Sequence, residues 1–158
     1  MAVINTIKSG IGTRISISTA AFTGTKDATG FGAATYAKLQ VSLAPRPGGE
    51  FQQVTWDDLE TGLRTYFKGA KTQPAWDLTA ADIPTDPGLT ALKAAFDDKV
   101  GEWAIKIEHT TDGSITPRII YFTVRVMSYR YDNATLSDIN TITASLQQVS
   151  DPVVVAPT

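Results

Sequence analysis

The sequence lacks cysteine, and this absence removes several kinds of chemistry from consideration. Without thiols the chain can form no disulfide, no zinc–thiolate site and no cysteine nucleophile. Histidine is nearly absent as well, because His109 is the only one in the chain, and a single histidine cannot build a histidine-rich metal site. No Ser-His-Asp pattern surrounds His109, so we interpret it as a solvated loop residue beside a hairpin turn.

Charge and long apolar runs are scarce too. Charged residues make up only 19% of the chain, a low share that suits a protein lying against copies of itself. No apolar run approaches the roughly 20 residues that a membrane span needs. The first ten residues lack a basic stretch followed by an apolar one, which predicts no signal peptide and a cytoplasmic product. The length of 158 residues predicts a single domain, 1–158.

No motif in the sequence predicts catalysis or cofactor binding. The acidic clusters at 57–60 and 97–98 lack the alternate ligand spacing and the glycine turn of a calcium loop. The second cluster is more simply explained as the solvent face of a helix. The glycine pairs at 10–12 and 30–32 lack the flanking strand, helix and lysine of a phosphate loop. These observations predict a protein that is not an enzyme and holds no metal or cofactor.

The sequence is rich in β-branched residues, and the alternation of apolar and polar residues marks several strands. Period-two patterns predict strands at 11–22, 35–43, 102–110, 118–131 and 139–149. The first two are expected to pair across the glycine-rich loop 23–32, and Asp112-Gly113 predicts a hairpin turn. The predicted core side chains are Ile11, Ile15, Ile17, Ala37, Leu39, Val41, Leu43, Trp103, Ile105, Ile107, Ile120, Phe122, Val124, Val126, Ile142, Ala144 and Leu146.

One helix is predicted at 86–100. Asp86 or Thr85 can cap its first turn, and Pro87 fits a position where no amide donor is needed. Gly101 ends the helical pattern. The apolar side chains that recur at helical spacing are Leu89, Leu92, Phe96 and Val100. A single amphipathic helix beside many strands indicates a helix packed on a sheet.

The segment 44–84 has no clear period and is the most unusual part of the sequence. It is too apolar for a solvated linker, and a structureless loop of this length is uncommon unless it binds something. Two interpretations stay open: a local strand pair or short helix on the domain's own core, or a loop that packs on another subunit. Basic and acidic residues balance within it, which argues against a nucleic-acid groove. The aromatic residues expected at a subunit interface are Phe51, Trp56, Tyr66 and Phe67.

This layout resembles the tail tube (major tail) proteins of long-tailed bacteriophages, and more distantly the tube protein of type VI secretion systems. The resemblance extends over nearly the whole chain, which ends in a short tail at 151–158. The features that carry it are the insertion 44–76, the helix 86–100, the strand 103–107, and the strand 139–149 followed by Asp151-Pro152-Val153.

The resemblance implies a mainly β (α+β) domain of two packed antiparallel sheets, a β-sandwich or barrel-like body flanked by one α-helix. A long irregular insertion loop at about 44–84 is then an addition to this body. The resemblance further implies a structural virion protein that self-assembles into hexameric rings, which stack into a hollow tail tube for DNA passage. Ring closure would cover the open sheet edges, and contacts along the axis would propagate the tube.

The implied partners are other copies of the chain and other tail proteins, such as tape measure, terminator and baseplate or tip proteins. DNA would pass through without specific binding, and no membrane is involved. The lumen of such tubes tends to be acidic, and Glu102 and Glu108 on the polar face of a strand are the candidate lumen residues. Lys106 on the same face opposes this assignment. The implied location is the virion tail, with assembly in the host cytoplasm.

Three other functions are compatible with the sequence. One is another phage tail component, such as a tail terminator, which would form a single ring and not a filament. A monomeric carbohydrate- or peptide-binding β-sandwich would use Trp56 and Trp76 as a stacking platform. A small hydrolase would depend on His109.

Overall fold

The computed structural model describes residues 12–42, 45–109, 117–133, 135–136 and 138–156. Within these residues the chain forms nine strands and two helices, and the strands belong to two antiparallel sheets. The strands are β1 (Arg14–Ser18), β2 (Tyr36–Leu39), β3 (Glu50–Asp57), β4 (Arg64–Thr72), β5 (Ala75–Ala81), β6 (Trp103–His109), β7 (Arg118–Asp132), β8 (Thr141–Gln148) and β9 (Val153–Val155). The helices are α1 (Ala28–Gly32) and α2 (Pro87–Asp97). The mainly β fold with two antiparallel sheets is therefore confirmed.

Seven of the strands form one large curled sheet in the order β2-β1-β6-β7-β8-β5, with β9 pairing alongside β7. Its first two strands in sequence, β1 and β2, pair as neighbours, as predicted. The curl brings the two ends of the sheet together at a bridge between Val41 and Ala80. There the Ser42 amide donates a hydrogen bond to the Thr79 carbonyl at 3.1 Å. Closing a sheet on itself reduces its unpaired edge, so the body is barrel-like.

The interior of the large sheet is the apolar face that the alternation predicts. Ile105 and Phe122 are fully buried there, and Trp76 meets the Phe122 ring edge-on at 5.6 Å. The predicted core residues that are buried are Ile15, Ile17, Ala37, Leu39, Leu89, Leu92, Trp103, Ile105, Ile107, Phe122, Val124, Val126, Ile142, Ala144 and Leu146. Partly buried against them are Val41 and Ile120. Outside the described residues lie Ile11 and Leu43.

Helix α2 begins where the sequence predicts. The Asp86 carboxylate accepts a hydrogen bond from the Gly88 amide at 3.0 Å, and a proline occupies the first turn. Gly88 lies so close to β2 that a Cβ on it would come 2.1 Å from the Lys38 carbonyl oxygen. This close approach brings the helix onto the body, where Leu89 and Leu92 are buried in the core.

Helix α2 ends at Asp97, earlier than predicted. The Asp98 carboxylate accepts hydrogen bonds from two amides of the next turn and from the Trp103 ring nitrogen, and these bonds direct the chain into β6. Val100 therefore lies outside the helix and is exposed, and Phe96 is only partly covered, so neither joins the core as predicted. Asp98 ends the helix and is not part of its solvent face.

The glycine-rich loop that follows β1 contains a short helix that the sequence did not predict. The Asp27 carboxylate caps α1 by accepting a hydrogen bond from the Gly30 amide at 2.7 Å. Phe31 is fully buried, and its ring stacks on Phe22 at 4.6 Å and on Tyr121 at 5.4 Å, so α1 covers the outer face of the large sheet. A helix of five residues is too short to show a helical period. Neither helix in the described part of the chain is long and apolar enough to cross a membrane.

The C-terminal segment also differs from its prediction as a short tail. Val153–Val155 forms β9, which pairs with Ile119–Tyr121 on β7. Three residues are too few for a periodic signal, but β-branched valines favour a strand where a partner edge is present. The hairpin turn predicted at Asp112-Gly113 lies outside the described residues.

The insertion at 44–84 is formed largely by strands, so it is not the long irregular loop that the resemblance implies. It contains a local strand pair, which was one of the interpretations that the sequence left open. β5 joins the large sheet beside β8, whereas β3 and β4 form the second sheet by pairing with each other. The register shifts between Phe51 and Gln53, which interrupts the alternation that would reveal a strand pair. Aromatic residues also lie on both faces of this hairpin, which hides its period from the sequence.

Candidate assembly surface

The hairpin of β3 and β4 stands apart from the large sheet, and its strands contact mainly each other. Directly paired residues share a face, so Val54 lies beside Phe67, and Trp56 follows two positions later on the same face. We name Val54, Trp56 and Phe67 the apolar face of the hairpin. On the opposite face Thr55 pairs with Tyr66.

The apolar face is open to solvent in the single chain. No residue of β3 or β4 is buried, and Trp56 is 67% exposed and Phe67 55% exposed. Exposed apolar patches of this kind mark surfaces that another molecule covers. A two-stranded hairpin is marginally stable in water on its own, so contacts beyond its own pair of strands would stabilise this one.

The acidic residues of the hairpin build its turn. Arg64 donates to both carboxylate oxygens of Asp57 at 2.6 and 3.0 Å, which holds the pKa of Asp57 below its usual range. Asp58 accepts a hydrogen bond from the Glu60 amide, and Gly62 takes a left-handed φ of 67° that favours glycine. In the described part of the chain, no group of three or more acidic or histidine residues is placed to hold a metal ion.

All four aromatic residues predicted at a subunit interface are exposed on this hairpin. Trp56 and Phe67 belong to the apolar face, whereas Phe51 and Tyr66 lie on the opposite face. The Lys68 ammonium group lies 5.1 Å from the centre of the Phe51 ring, so that opposite face is basic as well as aromatic. The structure thus brings two of the four residues together and separates the other two from them. Their role at an interface stays a prediction.

A buried glutamine at the end of β8 fastens the base of the hairpin to the body. The Gln148 side chain accepts a hydrogen bond from the Gly48 amide at 3.1 Å and donates one to the Gly48 carbonyl at 2.8 Å. The same nitrogen lies 2.8 Å from the Gln73 side-chain oxygen and 2.7 Å from the Ser150 carbonyl oxygen, so its two hydrogens are shared among three acceptors. Gly48 precedes β3 and Gln73 follows β4, so both ends of the hairpin are held by one side chain.

An ion pair reinforces this anchor. Lys71 Nζ lies 2.6 Å from an Asp151 carboxylate oxygen, and Gln73 donates to the same oxygen at 2.6 Å. The Lys71 contact holds the pKa of Asp151 below its usual range. The residues of this anchor could not be predicted from the sequence, because their partners lie far away in the chain. The only available signal was that Gln148 occupies an inward position in the alternation of β8.

A second surface without a partner lies on β7. β6 pairs with β7 only up to Val124, while β8 and β9 together line its other edge. Among the described residues, no strand pairs with the β6 side of β7 from Arg125 to Asp132, and we name this stretch the free edge. Unpaired amides and carbonyls on such an edge are able to bind an added strand.

Aromatic side chains form a wall beside the free edge. Tyr129 and Tyr131 continue the inward face of β7, and the Tyr129 ring lies 5.4 Å from Tyr131 and 6.1 Å from Phe96 of α2. We name Phe96, Tyr129 and Tyr131 the aromatic wall. The two tyrosines and Lys93 line an open cleft of about 440 Å³. Burial and the neighbouring Tyr131 raise the pKa of Tyr129 to about 12.

The two predicted lumen residues are both engaged in ion pairs. A Glu102 carboxylate oxygen lies 2.6 Å from Lys26 Nζ and accepts a hydrogen bond from the Thr123 hydroxyl at 2.9 Å. Partial burial raises the pKa of Glu102, but these two contacts outweigh it and hold the pKa below its usual range. Glu108 pairs with Lys106 on the same face of β6. Their place in a lumen stays a prediction.

Residues considered for other functions are placed differently from their predictions. His109 is the last residue of β6 and is partly buried, not a solvated loop residue. This burial and the nearby Arg118 charge lower the pKa of His109. Trp76 packs inside the body, whereas Trp56 lies on the hairpin, so the two tryptophans do not form one stacking platform.

Comparison with known proteins finds similarity in structure but not in sequence. No protein-family model and no curated protein matches the chain. A chain from the baseplate of the anti-feeding prophage, described as six-fold symmetrised, matches with a TM-score of 0.71 at 6% sequence identity. The match covers 97% of this chain and 98% of that chain.

Two further structures show the same fold. A chain from the PVC sheath–tube complex, an extracellular contractile injection system in its extended state, has a TM-score of 0.66 at 13% identity, covering 98% of this chain and 94% of that chain. A chain from the SPP1 tail tube has a TM-score of 0.56 at 13% identity, and the match covers 90% of this chain and 75% of that chain. Likeness at such low identity shows the fold alone. As a likeness of fold, the resemblance to tail tube proteins is confirmed.

Proposed function

We propose that the chain is a structural tail subunit that self-assembles into hexameric rings, which stack into a hollow tail tube. The observation that carries this proposal is the apolar face of the hairpin, which a monomer leaves in water and an assembly would bury. The hairpin is held at its base by Gln148, so it can meet a neighbour without first becoming ordered.

The comparisons support this proposal through the fold. The structures with similar chains are a baseplate, a sheath–tube complex and a tail tube, and the first was treated with six-fold symmetry. Identical copies close into a ring when one surface of each copy meets a different surface of the next, and a similar contact along the axis propagates without closing. The hairpin and the free edge provide two different surfaces on one chain.

In this proposal the tube conducts DNA without binding it and has no catalytic role. Glu102 and Glu108 remain the candidate lumen residues, and the neighbouring Lys26 and Lys106 reduce the net negative charge around them. Other tail proteins, such as tape measure, terminator and baseplate proteins, would contact the lumen or the ends of the tube. The protein would then be located in the virion tail.

Electron microscopy of the purified chain at rising concentration tests the proposal. We expect tubes of uniform diameter, and sedimentation should show that the polymer forms above a threshold concentration. Rings that never stack would favour a terminator instead of a tube protein. A chain that stays monomeric at every concentration would overturn the proposal of self-assembly.

A further inference from the structure

We infer that the hairpin of one copy docks on the free edge of β7 in a neighbouring copy and extends its sheet. This inference rests on the proposed self-assembly and names the surface that receives the hairpin. Among the described residues, each of these two elements has a backbone edge that pairs with no strand, and each carries large apolar side chains that stay mostly exposed within one chain.

The backbones of the two elements are complementary. Within the described residues, β3 and β4 pair only with each other, so the outer edge of each strand carries unpaired amides and carbonyls. The free edge from Arg125 to Asp132 carries a comparable row of unpaired amides and carbonyls. β3 has eight residues and is long enough to match it. A strand added to an exposed edge satisfies both rows with main-chain hydrogen bonds.

The side chains match as well. A hairpin strand placed on the free edge would lay Trp56 and Phe67 against Tyr129 and Tyr131, which share one side of that edge. Tyr131 is 62% exposed in the single chain. Aromatic residues of two copies would then leave water together, as at the centre of a stable interface.

The charges favour a second copy of this chain as the occupant. Arg130 alternates with the two tyrosines onto the other side of the edge, is exposed, and has no ion-pair partner in the described part of the chain. At the hairpin turn, Arg64 is bound to Asp57, so the charges of Asp58 and Glu60 are not offset. The acidic turn can therefore pair with Arg130, which lies on the same side of the free edge as Asp132.

Cysteine crosslinking tests the contact directly, because the chain has no cysteine of its own. Thr65→Cys labels the apolar face beside Trp56, and Met127→Cys labels an exposed position on the free edge. The two variants are mixed, allowed to polymerise and treated with a short bismaleimide. We expect a covalent dimer on a denaturing gel that is several-fold stronger than either variant gives alone.

Lys38→Cys is the matched control, because Lys38 is exposed on β2, at the far end of the sheet from β7. A mixture of Thr65→Cys and Lys38→Cys should give no dimer above background. If polymers form but Thr65→Cys reacts equally with both positions, or with neither, the hairpin docks elsewhere and this inference is wrong. If the unmodified chain forms no polymer at all, the proposed self-assembly fails and the inference fails with it.

Discussion

Gln148 is a polar residue on an apolar face, and its position decides how the hairpin is joined to the body. Ile142, Ala144 and Leu146 fill the same inward face of β8, so the alternation places the glutamine in the interior as well. A buried amide is tolerated when it is hydrogen-bonded, and both the oxygen and the nitrogen of this one are bonded. The side chain is therefore a fixed point that sets the direction of the hairpin.

Replacing Gln148 by leucine should release the hairpin while roughly preserving side-chain volume. The change leaves the amide and carbonyl of Gly48 without their partner, which costs about 1–3 kcal/mol of the free energy of unfolding when such groups stay buried. Urea denaturation measures this cost, and sedimentation measures the expected loss of polymer. Gln40→Leu, at an exposed glutamine, is the control and should leave both unchanged. If the two variants had the same free energy of unfolding and the same amount of polymer, Gln148 would not anchor the hairpin.

We expect the protein to lose stability in acid, in part through the protonation of Asp98. Its carboxylate accepts hydrogen bonds from the Gly101 and Val100 amides at 2.9 and 3.1 Å, and these hold its pKa below the usual value of 3.8. A carboxylate whose folded pKa is lowered stabilises the fold above its unfolded pKa and loses this contribution as pH falls through the folded pKa. Asp98→Ala should lower the free energy of unfolding at neutral pH and flatten its decline in acid.

Urea titrations at several pH values measure the effect at Asp98, and a neighbouring residue supplies the control. Asp97→Ala removes only an exposed pair with Lys93, which contributes little to stability. The two variants should therefore differ at neutral pH and converge in strong acid. An unchanged acid response in Asp98→Ala would show that other carboxylates control the acid unfolding.

At the scale of elements, the parts that could be predicted from the sequence are those with a single apolar face. β6 and β8 alternate regularly, and α2 repeats leucines at helical spacing after a capped start, so each carries its own signal. α1 and β9 are too short to carry one. They form because the large sheet supplies partners, Tyr121 for the Phe31 ring and Ile119–Tyr121 for the valines of β9.

The candidate site could be predicted only in part. The segment is too apolar for a linker and contains several aromatic residues, and from this the sequence predicted an interface that includes Trp56 and Phe67. Their division between two faces depends on the register shift beside Phe51, which local composition does not reveal. The free edge depends on β6 starting at Trp103 while β7 runs on to Asp132, and this is a property of two strands together.

The hairpin should be removable without unfolding the body. Replacing 50–72 by a short Gly/Ser linker deletes strands that contact mainly each other, so circular dichroism should still show a folded β protein. Sedimentation should show a monomer or isolated ring that no longer stacks. A linker variant that fails to fold would mean that the hairpin belongs to the domain's own core.

A single substitution tests the apolar face more finely. Truncating an interface aromatic often costs about 2 kcal/mol or more, which corresponds to roughly a thirtyfold weaker contact. Trp56→Ala should therefore raise the threshold concentration for polymerisation, as measured by sedimentation, with no change in the melting curve of the body. Thr55→Ala on the opposite face is the control and should polymerise normally. Equal thresholds for the two variants would show that the apolar face is not the contact.

At the scale of the whole molecule, assembly is expected to respond to solvent as apolar burial does. Hydrophobic stabilisation weakens on cooling and is strengthened by sulfate, whereas exposed charge pairs weaken with added salt. The polymer fraction measured by sedimentation should therefore fall in the cold and recover when sulfate is added. Polymer that survives cooling but dissolves in moderate sodium chloride would instead be held together by charges.

If the chain polymerises as proposed, the sheet topology also determines when a newly made chain becomes able to receive a neighbour. β3 and β4 are joined by a short turn, and local hairpins of this kind form within about 1–10 μs. The sheet that carries the free edge is complete only after β8 has been synthesised and β1 has paired with β6 across more than half of the chain. An unfinished chain on the ribosome therefore presents a hairpin but no receiving edge, so in the proposed assembly no other copy can dock on it until β8 has been made.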